Sequence, residues 1–140
     1  MTRILILDDD YLVRDMLERL MRRARYDVET AEDGAQALRL HRRHPVDLVI
    51  TGILTPGEKG LGTLAEFRRS DPAVKIIAIS GGGRIGPLSG MRAAALSGAD
   101  RTFAKPVDTA LLLAAVEELS APPRLRSISS FENTPASQGR

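Results

Sequence analysis

Cysteine and tryptophan are absent from this 140-residue sequence, and aromatic residues make up 4% of it. The absence of cysteine excludes disulfides and thiolate metal sites and fits a reducing compartment. No apolar run approaches the roughly 20 residues that a membrane-spanning helix needs. The N-terminal MTRILILDDD has acids where a signal peptide would continue its apolar stretch. These absences predict a soluble, cytoplasmic protein with no membrane partner.

A large charge imbalance is also lacking. The 20 basic and 18 acidic side chains leave a formal net charge of +2, which does not predict nucleic-acid binding. Hydrophobic residues make up 43% and charged residues 27% of the chain, a balance typical of a globular protein. With so few aromatic side chains, the core must be built from leucine, isoleucine, valine and alanine.

Five short apolar runs alternate with segments of helical spacing along the chain. The apolar runs, which predict strands, are 3–7, 27–31, 46–50, 74–80 and 101–104. The helical segments are 11–23, 35–43, 61–69, 87–97 and 107–119. This alternation favours βαβ units, so we predict a doubly wound α/β fold with a five-stranded parallel sheet flanked by five helices. The second run alternates polar and apolar residues and is expected at the edge of the sheet.

The composition changes after the last helical segment. Residues 120–140 carry three prolines and five serines with no period, a composition that does not support a packed core. We therefore predict one domain, residues 1–120, followed by a flexible tail, residues 121–140.

The candidate site follows from the predicted sheet, because ligands of open parallel sheets bind outside the carboxyl ends of the strands. The residues at those ends that carry chemistry or mark a turn are Asp8, Asp9, Asp10, Gly52, Ser80, Lys105 and Pro106. Three adjacent carboxylates repel one another unless a cation balances them, and their oxygens suit Mg²⁺. Lys105 could reach the same crevice and contact a phosphoryl oxygen or a carboxylate. Asp10 has a structural alternative, as the N-cap of the first helix.

The order of these motifs resembles that of the response-regulator receiver domains of two-component systems, the CheY-like fold. The resemblance spans about residues 3–119. It rests on Asp8-Asp9 after ILIL, DLVIT with Pro56 and Gly60 beyond it, Ser80-Gly81 after KIIAI, GAD at 98–100, and Lys105-Pro106. It implies the strand order 2-1-3-4-5 and a role in phosphorelay signal transduction.

The resemblance also implies a role for each matching position. Asp8 and Asp9 would hold Mg²⁺ together with the backbone carbonyl of Leu54. Ser80 would be the switch hydroxyl that turns towards a phosphoryl group, and Lys105 the cation that contacts that group.

Two positions depart from the family's pattern. In the family, the residue that closes strand three is the aspartate that accepts the phosphoryl group, and here it is Gly52. Thr102 stands where a switch tyrosine or phenylalanine is frequent, and Phe103 is expected to point to the other face of the sheet. The peptide bond before Pro106 is expected to be cis, by the same resemblance.

Gly52 offers neither the carboxylate that phosphoryl transfer needs nor a metal ligand. Thr51 should point to the opposite face of the sheet, and Thr55 and Glu58 are expected in the loop that follows. Asp47 lies at the far edge of the sheet. Because Mg²⁺ loses one of its usual three protein ligands, we predict weakened metal binding.

We therefore interpret the chain as a pseudo-receiver, not an enzyme, that acts through protein contacts. The expected partners are a histidine kinase, a phosphotransfer protein or another regulator. The expected binding surface is the face made by the fourth helix, fifth strand and fifth helix. A homodimer through the same face is an alternative. The alternative is a conventional receiver that a histidine kinase phosphorylates, with Gly52 engineered or bypassed by another acceptor.

A second motif points to a different function. GGGRIG, residues 81–86, matches the G-x-G-x-x-G pattern of dinucleotide sites. It falls on the fourth βα unit, however, and Asp100 precedes a strand where such a site needs an acid at a strand end. We therefore interpret these glycines as a loop.

The two histidines lie beside Arg42 and Arg43 near the end of the second helical segment. We expect His41 and His44 to be exposed and to complement the helix dipole.

Overall fold

The computed structural model describes residues 2–53, 58–81 and 87–120 of the chain. Its strands are β1 Arg3–Leu7, β2 Asp27–Ala31, β3 Leu48–Ile53, β4 Lys75–Ser80 and β5 Arg101–Ala104. Its helices are α1 Tyr11–Arg23, α2 Gly34–Arg43, α3 Glu58–Ser70, α4 Pro87–Leu96 and α5 Thr109–Ser120. Strands and helices alternate as the sequence predicts. The predicted tail, residues 121–140, lies outside the described residues.

The five strands form one sheet in the order β2-β1-β3-β4-β5, and every neighbouring pair is parallel. The predicted fold class and strand order are therefore confirmed, and β2 lies at an edge. Because all strands run the same way, their carboxyl ends meet along one edge of the sheet. Within the described residues, none of the helices has both the length and the apolar character needed to cross a bilayer.

Alternating side chains of the central strands pack into two separate hydrophobic cores, one on each face of the sheet. On one face, Ile4 and Ile6 pack with buried residues of α1 and α5. On the other, Leu5 and Leu7 pack with buried residues of α2, α3 and α4. Strand β1 is completely buried from Ile4 to Leu7, as expected of a central strand covered on both faces.

The end of β3 differs from the prediction. The apolar pattern ended the strand at residue 50, before Gly52, but the strand runs to Ile53. The reason is pairing with β4: Gly52 lies opposite Ile79, and Ile53 lies opposite Ser80. Gly52 is therefore a residue of a central strand and not the first residue of a turn.

Two helices also start two or more residues away from the predicted position. Helix α3 begins at Glu58, so the expectation that this residue lies in the loop is wrong. Helix α5 begins at Thr109, two residues later than predicted, because Asp108 caps it: its Oδ1 accepts the Leu111 N–H at 3.1 Å. Asp10 caps α1 in the same way, accepting the Leu12 N–H at 2.9 Å, so the structural interpretation of Asp10 is confirmed.

The GAD segment has a structural role. Gly98 has a φ of +117°, a conformation that favours glycine, and its carbonyl accepts hydrogen bonds from the Arg68 guanidinium. The Asp100 carboxylate accepts from the Ile76 N–H at 2.8 Å and from Arg68 at 2.9 Å. These bonds tie the end of α3 to the start of β4 and β5. Asp100 is thus occupied within the fold, which agrees with the rejection of a dinucleotide site.

His41 is buried, so the prediction that it is exposed is wrong. Its ring, 6% exposed, lies against Phe67 with 5.4 Å between the ring centroids. Its Nδ1 accepts the Val46 N–H at 3.0 Å, and its Nε2 lies 3.0 Å from an Asp71 carboxylate oxygen. Since Nδ1 accepts a hydrogen bond, the proton of the neutral ring lies on Nε2 and is donated to Asp71. His44 is exposed, as predicted.

We expect His41→Leu to destabilise the fold by about 1–3 kcal/mol, because it keeps an apolar side chain in place but leaves the buried Val46 N–H without an acceptor. Chemical denaturation measures the loss. The same substitution at the exposed His44 is the control and should change stability by less than about 0.5 kcal/mol. An equal loss at both positions would contradict the structural role of the buried ring.

Candidate functional site

The parallel sheet brings four of the predicted site residues to one edge. Asp8 follows β1, Gly52 lies near the end of β3, Ser80 ends β4 and Lys105 follows β5. The Lys105 N–H donates to the Ser80 carbonyl at 3.0 Å, which continues the pairing of β4 with β5. The Lys105–Pro106 peptide bond is cis, the form that the resemblance implies.

Asp8 and Asp9 have different surroundings although they are adjacent. The side chain of Asp8 is 2% exposed, whereas Asp9 is exposed. The Asp8 Oδ1 accepts the Asp10 N–H at 2.8 Å. The Asp8 Oδ2 is buried without a hydrogen-bond partner among the described residues, and it lies 3.5 Å from the Lys105 Nζ. That distance is long for a hydrogen bond but short enough for strong ionic attraction.

The Asp8 carboxylate occupies the space in which a side chain at residue 52 would lie. A Cβ on Gly52 would be 2.2 Å from the Asp8 Oδ2 and 2.8 Å from its Cγ. Both distances are far inside van der Waals contact. The glycine therefore allows Asp8 to turn over the end of β3 and towards Lys105.

Burial raises the pKa of the Asp8 carboxyl above its ordinary value. The Asp10 N–H and the Lys105 ammonium oppose this rise because they stabilise the charged form, while the neighbouring Asp9 adds to it. Since the pKa is raised on balance, the loss of hydration is the largest of these effects.

Arg14 is a site neighbour that the sequence reasoning missed. Its Nη1 donates to the backbone carbonyl of Asp8 at 2.8 Å. Arg14 lies one turn after the Asp10 cap, so its side chain can return to the end of β1. A cation one turn into the first helix is the signal that would have found it. This contact fixes the backbone on which the Asp8 carboxylate is carried.

Ser80 and Thr102, to which the resemblance assigns the switch, have the surroundings that strand alternation predicts. Ser80 is buried, and its hydroxyl donates to the Gly81 carbonyl at 3.2 Å. Thr102 pairs with Ala78 and Phe103 with Ile79. Phe103 packs into the core beneath α1 and α5, so the expectation that it lies on the face opposite Thr102 is confirmed.

The neighbours of Gly52 are placed as follows. Thr51 is buried and pairs with Leu7 and Ala78, which belong to the core beneath α2, α3 and α4; it therefore faces away from the Gly52 side, as predicted. Asp47 accepts the Arg3 N–H at the opposite edge of the sheet. Leu54, Thr55, Pro56 and the segment 82–86 lie outside the described residues.

The chain belongs to the response regulator receiver domain family, whose model matches residues 4–117. The predicted family is therefore confirmed, and with it the coarse function: a receiver domain of two-component signalling. Receiver domains interact with histidine kinases or other regulators and typically bind Mg²⁺ at their acidic site.

Sequence relatives of this chain are regulators. PrrA of Mycobacterium tuberculosis, a transcriptional regulatory protein, is 33% identical over 118 residues, which cover 84% of this chain and 49% of PrrA. The chemotaxis protein CheY of Halobacterium salinarum is 25% identical over 117 residues, covering 84% of this chain and 95% of CheY. The chain spans 29%, 34% and 49% of the length of three of the transcriptional regulators that it matches.

Solved structures show the same fold. The receiver domain of NtrX from Brucella abortus superposes with a TM-score of 0.74 at 27% identity, covering 83% of this chain and 96% of that domain. A CheY-like receiver domain protein from Methanospirillum hungatei gives a TM-score of 0.74 at 27% identity, covering 84% of this chain and 92% of that protein.

The described residues fit Mg²⁺ poorly. Asp8 and Asp9 supply carboxylates, but Gly52 supplies none, and the predicted Leu54 carbonyl lies outside the described residues. No cluster of three or more acidic or imidazole side chains suited to a metal ion occurs in the part of the chain that is described. In addition, the Lys105 ammonium lies beside the free oxygen of Asp8 and repels a divalent cation there.

The raised pKa of Asp8 predicts a pH-dependent stability. The unfolded chain loses the Asp8 proton at a lower pH than the folded chain, so the folded state binds more protons between the two pKa values. This contribution is complete below the unfolded pKa and is lost as pH rises through the folded pKa. We expect the stability of Asp8→Asn, relative to wild type, to increase as pH rises from about 3 to 7.

Urea unfolding at a series of pH values measures this difference. Asp9→Asn at the exposed neighbouring position is the control, for which a much smaller pH dependence is expected. A difference between wild type and Asp8→Asn that stays constant over this range would contradict the effect of burial on Asp8.

Proposed function

We propose that this chain is a pseudo-receiver: a receiver domain that signals through protein contacts and is not phosphorylated at residue 52. The observation that carries the proposal is the position of Asp8, whose carboxylate fills the side-chain space at Gly52. The site thus lacks the acceptor carboxylate, and a side chain at residue 52 would fit only after the Asp8 carboxylate turns away.

The chemistry of phosphoryl transfer supports this proposal. The reaction needs a carboxylate oxygen held in line with the donor phosphorus. Glycine has no such oxygen, and Thr51 faces the opposite side of the sheet. The carboxylate of Asp8 is itself a poor substitute, because it is 2% exposed and bound to the Asp10 N–H.

Protein contact is the remaining route for a signal. Helices α4 and α5, which flank β5 in the chain, each carry an exposed leucine: Leu96 is 84% exposed and Leu111 60% exposed. We propose that a protein partner contacts these two side chains. The partners we propose are a histidine kinase, a phosphotransfer protein or another regulator in the cytoplasm, with a homodimer through the same face as an alternative.

The proposal predicts that the wild-type chain is not labelled by Mg²⁺ with acetyl phosphate or by a histidine kinase. Intact-mass measurement should find no added phosphoryl group. Gly52→Asp supplies the missing carboxylate and should become labelled. The extent of labelling depends on the fraction of molecules in which the Asp8 side chain turns away from residue 52. Gly62→Asp is the matched control, since it adds the same carboxylate where, outside its own helix backbone and chain neighbours, no atom of the described residues lies within 4 Å of the new Cβ.

Stoichiometric labelling of the wild type would overturn the pseudo-receiver. Peptide mapping of such a label would then identify the acceptor that bypasses Gly52, and the chain would be a conventional receiver.

Weak Mg²⁺ binding is the second prediction of the proposal. The wild type should bind Mg²⁺ less tightly than Gly52→Asp by on the order of tenfold or more, since the variant gains a carboxylate ligand at the acidic site. Isothermal titration calorimetry measures both affinities. Equal affinity in the two proteins would show that residue 52 does not contribute to the metal site.

A further inference from the structure

Gly52 is not required by the conformation of its own backbone. Among the described residues, the glycine with a positive φ is Gly98, not Gly52. Gly52 lies in a central strand, with β1 on one side and β4 on the other, where glycine weakens a sheet because it has no side chain to pack. Something other than backbone geometry therefore accounts for a glycine at this position.

The adjoining space is filled by Asp8, which is held there from three directions. Its Oδ1 accepts the Asp10 N–H at 2.8 Å. Its backbone carbonyl accepts Arg14 at 2.8 Å, and its backbone N–H donates to Ala31 at 3.4 Å. The two backbone contacts hold the main chain of Asp8, and the Asp10 N–H orients the carboxylate, whose Oδ2 lies over Gly52 with the Lys105 Nζ 3.5 Å away.

Lys105 is paired with this carboxylate. Its side chain is 20% exposed, and Asp8 is its ion-pair partner in the described part of the chain. Its backbone N–H is bonded to the Ser80 carbonyl. The position of Lys105 is thus coupled to the end of β4 through the backbone and to β1 through the ion pair.

We propose that Asp8 is a positioning residue which uses the space left by Gly52 to hold Lys105 at the end of β5 without a metal ion or a phosphoryl group. A side chain at residue 52 and the present position of Asp8 exclude each other. The present geometry of the Asp8–Lys105 pair therefore requires glycine at residue 52. This inference rests on the proposed pseudo-receiver function and explains how its pocket keeps a fixed shape.

The test is a cycle of Gly52→Ala and Asp8→Ala. The methyl group of Gly52→Ala must displace the Asp8 carboxylate, so this variant should lower the melting temperature by about 4 °C or more. In the Asp8→Ala background the carboxylate is gone, and Gly52→Ala should then have little effect. Gly62→Ala is the matched control: among the described residues its methyl group meets nothing within 4 Å beyond its own helix backbone and chain neighbours, and alanine favours a helix, so no loss is expected.

A spectroscopic measurement separates positioning from simple packing. The chain contains three lysines, Lys59, Lys75 and Lys105, so ¹⁵N-lysine labelling gives three side-chain signals, which single substitutions assign. Gly52→Ala should shift the Lys105 Nζ signal to the frequency it has in Asp8→Ala, with Lys75 unchanged.

Additive effects of the two substitutions on the melting temperature would overturn the positioning role of Asp8. A Lys105 Nζ signal that neither substitution shifts would overturn it as well. That result would leave the labelling experiment untouched, since residue 52 would still lack a carboxylate. Conversely, phosphoryl labelling of the wild type would end the pseudo-receiver proposal even if the cycle shows coupling. The two ideas thus fail by different measurements.

Discussion

The space beside the backbone of Gly52 has room for either the Asp8 carboxylate or a side chain at residue 52, but not for both. The arrangement of the site depends on which of the two groups is there. The Asp8 Oδ2 lies 2.2 Å from the point where a Cβ of residue 52 would stand, so no ordinary side chain fits there unless Asp8 leaves. With Asp8 in this space, its carboxylate meets Lys105, and Lys105 continues the backbone pairing to Ser80. Three strand ends are thereby linked through a position that contributes no side chain.

The electrostatics of the pair indicate that it determines position more than stability. The pKa of Asp8 is raised because burial outweighs the attraction of Lys105 and the Asp10 N–H. In water the two charges would be solvated, and in the pocket the lost hydration exceeds what one ammonium at 3.5 Å returns. A buried pair of this kind adds little net free energy to folding, but breaking it on one side leaves a charge without compensation. The arrangement therefore strongly favours one geometry at the strand ends.

The fold was predictable because it depends on patterns local in sequence. Apolar runs of strand length alternate with helical spacing, and the capping role of Asp10 follows from its place before α1. The features that were missed depend on tertiary contacts. His41 is buried because Asp71, 30 residues away, and Val46 satisfy its ring, whereas helical spacing placed it at an exposed end. The extension of β3 past Gly52 depends on pairing with β4. That Asp8 belongs to the site was predictable from its place after β1. The direction of its carboxylate was not, because it depends on the absence of a side chain at Gly52 on another strand.

The identity of residue 52 is more informative than the loss of an acceptor alone. Removing a phosphoryl acceptor requires only that the residue is not acidic, and alanine or serine would give the strand a side chain to pack, which glycine lacks. Each of these has a Cβ, however, and would collide with Asp8 where it now lies. A positive φ does not explain the glycine either, because Gly52 does not have one. In our proposal, the glycine leaves space for the Asp8 carboxylate. In our proposal the glycine is therefore one half of a matched pair with Asp8, whose carboxylate lies beside Lys105.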